Sequence, residues 1–145
     1  MAGTIMSTYK VRLLQQLKAN GTLSAIQVNY ADPGGAQRRE CVFLGNIDTN
    51  DHVPESLSSG RRRRIESFTL EVFVEVSSKP TSQTCEARAV ELANAVETVL
   101  ADDPQLGNLS QLMWTQLRSM TMNTMEADAP VCSIRMLLDA KARLQ

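Results

Sequence analysis

Between Ile65 and Ser77 the chain reads IESFTLEVFVEVS, and apolar and polar residues alternate almost without a break. Phe68, Leu70, Val72, Val74 and Val76 fall on one side, Ser67, Thr69, Glu71 and Glu75 on the other, and Phe73 interrupts the polar side. A period of two is the pleat of a strand, and no helix satisfies it. At about 3.3 Å per residue the segment would reach roughly 40 Å, about twice the common strand length. Part of it is therefore expected to project past the core and to need a partner.

The next segment has a different period. In KPTSQTCEARAVELANAVETVLADDP, Pro80 precedes the capping candidates Thr81 and Ser82, and Pro104 sets the end. Cys85, Ala89, Leu92, Val96, Val99 and Leu100 recur at helical spacing as a buried stripe, while Glu86, Glu91 and Glu97 make the rest acidic. An earlier helix is expected over Ser7–Asn20, where Tyr9, Leu13 and Leu17 stack at i, i+4, i+8 with Leu14 beside them. Ser7 or Thr8 is expected to cap its start, and Asn20-Gly21 to end it in a left-handed turn.

The remaining segments read as strands and turns. Ile26, Val28 and Tyr30 share one face of a half-buried strand, and Pro33 with Gly34-Gly35 forces a turn. CVFLGNI, from Cys41, is apolar on both faces and reads as a central strand. Residues 48–64 then read as a long loop ending in Arg61, Arg62, Arg63 and Arg64. Leu109–Asp128 reads as a strand with both faces partly covered, in which Met120, Met122 and Met125 are core filler. Trp114 reads as a core or an interface residue. Cys132, Ile134, Met136, Leu138, Ala140 and Ala142 alternate with Ser133, Arg135, Asp139, Lys141 and Arg143, which makes a closing strand.

The order is thus α-β-β-β-α-β-β, with no βαβ run. We expect one α+β domain over residues 1–145, a mostly antiparallel sheet of about five strands with two helices packed on one face. The chain of 145 residues is long enough to build such a core without disulfides or metals.

Composition excludes several classes of function. A net charge of -1 argues against a general nucleic-acid coat or a polybasic membrane protein. No apolar run approaches the ~18 residues that span a bilayer, and the N-terminal MAGTIMSTYK lacks a secretion signal pattern, so assembly in the cytoplasm is expected. Cys41, Cys85 and Cys132 have no metal-ligand spacing and read as reduced core residues. His52 is the single histidine, which removes a one-chain His-based triad or two-His metal site; it is assigned no role. No enzyme, cofactor or metal is expected.

Arg61–Arg64 are the candidate site residues. One reading makes them a solvated cluster that deters edge pairing; the other makes them a contact for a protein partner or for duplex DNA.

The order of elements, the strand IESFTLEVFVEV followed by ARAVELANAVETVL, and the closing CSIRMLLDAKARL resemble the tail terminator (tail-completion) proteins of long-tailed bacteriophages. The resemblance spans nearly the whole chain. It implies a small α+β protomer, located in the virion at the tail–neck junction, that forms a homo-hexameric ring on the tail tube and ends its polymerisation. It further implies three partners: the tail-tube protein, the head–tail connector or neck protein, and double-stranded DNA in the lumen. The family has no catalytic signature, and no interface residue is carried over. The rival readings are another neck or head-closure adaptor, and a small cytosolic α+β ligand-binding domain.

Overall fold

A computed structural model describes residues 3–36, 39–54, 64–126 and 129–144. Helix α1 (Met6–Ala19) leads through a short 3-10 turn to β1 (Gln27–Asn29), then β2 (Glu40–Pro54), β3 (Arg64–Ser77), helix α2 (Ser82–Asp102), β4 (Leu112–Met125) and β5 (Val131–Leu144). The five strands form one sheet in the order β1-β2-β3-β5-β4. β1 lies parallel to β2; every other pairing is antiparallel. The expected α+β architecture and element order hold.

β3 is the centre of this arrangement. It pairs with β2 on one side and, from Arg64↔Leu144 to Ser77↔Val131, with β5 on the other. Its apolar row, Phe68 to Val76, is fully buried under both helices, against Tyr9, Leu13 and Leu17 of α1 and Leu92, Val96 and Leu100 of α2. Tyr9 meets Phe68 edge-on at 5.0 Å, and its hydroxyl lies 2.6 Å from Thr115 Oγ1, so the phenol sent into this layer has a partner. The alternate residues of β5, Cys132 to Ala142, complete the same face.

Both helix termini show how local signals competed with distant ones. Thr81 caps α2 as expected, its hydroxyl oxygen accepting from Thr84 N at 3.1 Å. At α1 the expected Ser7 or Thr8 cap is not used. The helix begins one residue earlier, where Thr4 Oγ1 accepts from Met6 N and the buried Glu66 of β3 accepts from Ile5 N at 3.2 Å. A carboxylate there meets the positive end of the helix dipole, from 61 residues away in sequence. At the other end Asn20 is extended rather than left-handed, and its Oδ1 accepts from the amides of Thr22 and Leu23.

The strand bounds differ from the sequence reading at three places. β2 continues to Pro54, so residues 48–54 are strand rather than loop. Asp48, Thr49 and Asn50 are exposed there, and without a covered face the segment carries no apolar alternation by which to read it. Pro54 is tolerated because it closes an outer strand, where its missing N–H breaks no ladder. β1 shrinks to three residues and leaves Tyr30 outside, exposed, with the Lys10 ammonium over its ring at 4.3 Å. β2 is consequently a central strand, as expected, only at Cys41–Phe43, where it lies between β1 and β3, and is an edge beyond them among the described residues.

The third difference concerns β4. Met120, Met122 and Met125, expected in the core, are 39%, 45% and 69% exposed. They lie on the outermost strand, Met120 and Met122 on the helix side beside the cover of α2 rather than under it, and Met125 on the opposite side.

Candidate functional site

The two helices occupy one side of the sheet, and among the described residues no further element covers most of the other side. Its residues come from the alternate positions of the same strands: Thr69, Glu71 and Phe73 of β3, Arg135, Leu137, Asp139 and Lys141 of β5, and Trp114 and Thr121 of β4. This face is tied together by charge and hydrogen bonds. Arg135 Nε donates to Glu71 Oε2 at 2.5 Å, Thr69 Oγ1 to Asp139 Oδ1 at 2.8 Å, and Arg118 lies 3.9 Å from the same carboxylate. Such pairs, half exposed, align the side chains more than they stabilise the fold. Trp114 sits on this face beside Lys141, part-exposed, so it is not a core residue.

Near β2 the face changes character. Phe43 stacks on Phe73 with centroids 5.1 Å apart, next to Gly45, where β2 bulges. A Cβ at Gly45 would stand 2.7 Å from Phe73 Cε2, so glycine is what lets the ring lie over the strand. Lys10, Asp32, Glu71 and Glu75 surround this aromatic floor as an open depression. Its groups are already engaged. Lys10 donates to Gly45 O at 3.2 Å, Glu71 holds Arg135, and Glu75 also has a partner. No histidine or cysteine is among the residues that line it.

The titratable groups point the same way. Burial, with Glu75 and Asp32 adding to it, pushes the Cys41 thiol up to about 11, and burial also raises that of Cys132. Neither is an activated thiolate at neutral pH. All three cysteines are free and buried, as expected. Glu40 is held below the ordinary glutamate value, first by its hydrogen bond from Arg88 (2.6 Å) and also by Lys79 (3.3 Å). This cluster fastens the start of β2 to α2. Among the described residues no group of three His, Cys, Asp or Glu side chains is placed to hold a metal. No described helix is long and apolar enough to cross a membrane.

Of the four candidate arginines, Arg61, Arg62 and Arg63 lie outside the described residues. Arg64 opens β3, exposed, opposite Pro54 and Leu144. The acidic flank of α2 is partly engaged within the chain: Glu86 accepts from Thr124 Oγ1 at 2.5 Å, and Glu91 has a counter-charge in Arg88 at 2.9 Å.

The feature that sequence reading missed is the outer half of β4. From Arg118 to Met125 it is exposed at every position but Thr124 and is held mainly by its ladder with β5. The available signal was compositional: SMTMNTM has no residue that demands burial on one face and none that forbids pairing.

No protein-family model and no curated protein matches the sequence. Among solved structures, a chain in the virion of a native gene transfer agent particle is similar, with a TM-score of 0.67 at 19% sequence identity. The match covers 97% of this chain and 98% of that one, so the two share a fold from end to end.

Proposed function

We propose that this chain is a structural virion protein that forms a ring, of six copies, on the end of a phage-type tail tube, stops tube polymerisation and offers the surface that joins the head. The observation that carries the reading is the end-to-end likeness in fold to a chain of a gene transfer agent virion. A sheet with unpaired edges among the described residues, which a neighbouring subunit would satisfy, agrees with assembly as the activity. The protein would then work at the tail–neck junction, with the tail-tube protein and a neck or connector protein as partners.

The test is electron microscopy of tails assembled without the protein. Tails of irregular length that fail to join heads are expected; tails of uniform length that join heads normally sink the reading. Uniform but unjoined tails would favour another neck or head-closure adaptor.

Arg61–Arg64 have a place in this proposal as a contact for the transiting duplex or for an acidic surface of the tube protein. Six copies would bring about 24 positive charges to a lumen where ~30 Å of duplex carries roughly 18 phosphates. Salt should weaken either contact, because exposed charges are screened within about 10 Å at ~0.1 M. Replacing all four arginines by alanine should impair head joining or DNA retention in finished particles. Normal joining, ring formation and retention together would return the run to a solvated, edge-protecting cluster.

A further inference from the structure

We infer that the free edge of β4, from Gln116 to Met125, is where a second copy of this chain docks, by pairing with the outer edge of that copy's β2 between Asn46 and Pro54. The inference rests on the ring reading, which requires a head-to-tail contact, and it names the two surfaces.

The two halves of β4 differ in what covers their outer edge. At the start, the chain caps it itself: Thr115 N donates to Pro104 O at 2.8 Å and Gln105 Nε2 to Met113 O at 3.5 Å. Beyond Thr115 no strand or turn among the described residues pairs with it. The direction of the free groups is set by the register. β5 pairs with β3 without a break, so the β4 partners of Ala140, Leu138, Met136, Ile134 and Cys132 all share the outward orientation of Thr115. Beyond Thr115 itself those partners are Leu117, Met120, Met122 and Thr124, and their peptide groups face away from the sheet.

The side chains there suit an interface rather than water. Met120, Met122 and Met125 are exposed, and so is Val90, one turn along α2 from the Glu86 that holds Thr124. After Arg118 the strand has no lysine, proline or charge of the kind that blunts an edge.

The occupant is indicated by the opposite end of the same sheet. β1 covers β2 only at Cys41–Phe43, and Lys10 takes the carbonyl of Gly45. From Asn46 onward no strand or turn among the described residues pairs with the outer edge of β2, over a length close to that of the free part of β4. Arg118, 57% exposed on β4 and only loosely held at 3.9 Å from Asp139, would meet an exposed opposite charge in Asp48 of a neighbouring β2, and β4 itself contains no acid. Within one copy these edges face away from each other across β3 and β5, so they meet only between copies. Edge-to-edge pairing of unlike strands repeats head to tail and closes when the rotation allows.

Thiol cross-linking tests this, since the native cysteines are buried. Purified protein and assembled tails carrying both Asn50→Cys, which leaves Asp48 in place, and Met122→Cys would be treated with a short bis-maleimide. A ladder of covalent oligomers ending at one size is expected from the double variant and from neither single variant. A dimer from Met122→Cys alone would show β4 pairing with itself and overturn the inference. An assembled ring, by mass, that yields no ladder would overturn it while leaving the ring reading intact. A ladder alongside normal tails in the protein's absence would do the reverse. With both cysteines kept, Met120→Pro should abolish the ladder while the fold persists, because only an outward amide is lost. If that variant fails to fold, Met120→Lys in the same background gives the same readout. A ladder that survives both changes overturns the inference.

Discussion

β3 and β4 are both 14 residues long and both pair with β5 along their length, yet one is the most sheltered strand in the molecule and the other the least. On β3 every second side chain from Glu66 to Val76 is buried under α1 and α2. On β4 burial stops at Thr115, apart from the half-covered Leu117 and Thr124, although the same backbone ladder continues to Met125. The difference shows that pairing and packing are separate contributions: hydrogen bonding to β5 suffices to order β4, while only the helices bury a face. A strand that is paired but not packed is what an assembly can use, because its free edge and side chains still have something to gain.

The comparison is broken most severely by removing the layer that creates it. Leu92→Asp would place a charge where α2 meets the sheet, a change of several kcal/mol, of order 3–5. We expect little soluble, folded protein; a cooperative melt near that of the parent would mean α2 does not shelter β3. Next come matched truncations on the two strands. Phe68→Ala should cost about 3–5 kcal/mol in denaturant titration, and Met122→Ala less than ~0.5 kcal/mol for the isolated protomer. Comparable values would erase the distinction.

A smaller effect is expected on the uncovered face. Gly45→Ala must push the Phe73 ring aside, at a cost of about 1–3 kcal/mol, and should disturb the β2 bulge more than the far end of the sheet. Hydrogen exchange of β2 amides checks this, and unchanged protection there would contradict it.

The smallest effect is electrostatic. Glu40 has a folded value below the ordinary 4.5, so its contribution is complete above 4.5 and is lost as the pH falls through the lower folded value. Glu40→Gln should lose a little stability at neutral pH and show a flatter acid limb in melts across that window; an acid limb as steep as the parent's would contradict it. The group is partly exposed, which keeps the effect small.

Much of the fold was legible. The strict alternation of Ile65–Ser77 and of Cys132–Ala142, and the stripe from Cys85 to Leu100, became β3, β5 and α2 with their expected faces inward. The extension of β2 was not legible, because Asp48, Thr49 and Asn50 are exposed and a strand without a covered face leaves no pattern. The site was less legible still. The arginine run is conspicuous in sequence, while the edge of β4 is made of methionine, threonine and asparagine, residues equally at home inside a sheet or outside it.

By itself, then, the sequence determined the periodicities, the Thr81 cap and the α+β order, since each is written in residues within a turn or a pleat of one another. Only the tertiary structure decided that Glu66 would cap α1, that Gly45 would make room for Phe73, and that β4 rather than β3 would lie at the rim. Those outcomes depend on which strands become neighbours and how far a helix reaches across them. That is a matter of contacts between residues tens of positions apart, and no local period records it.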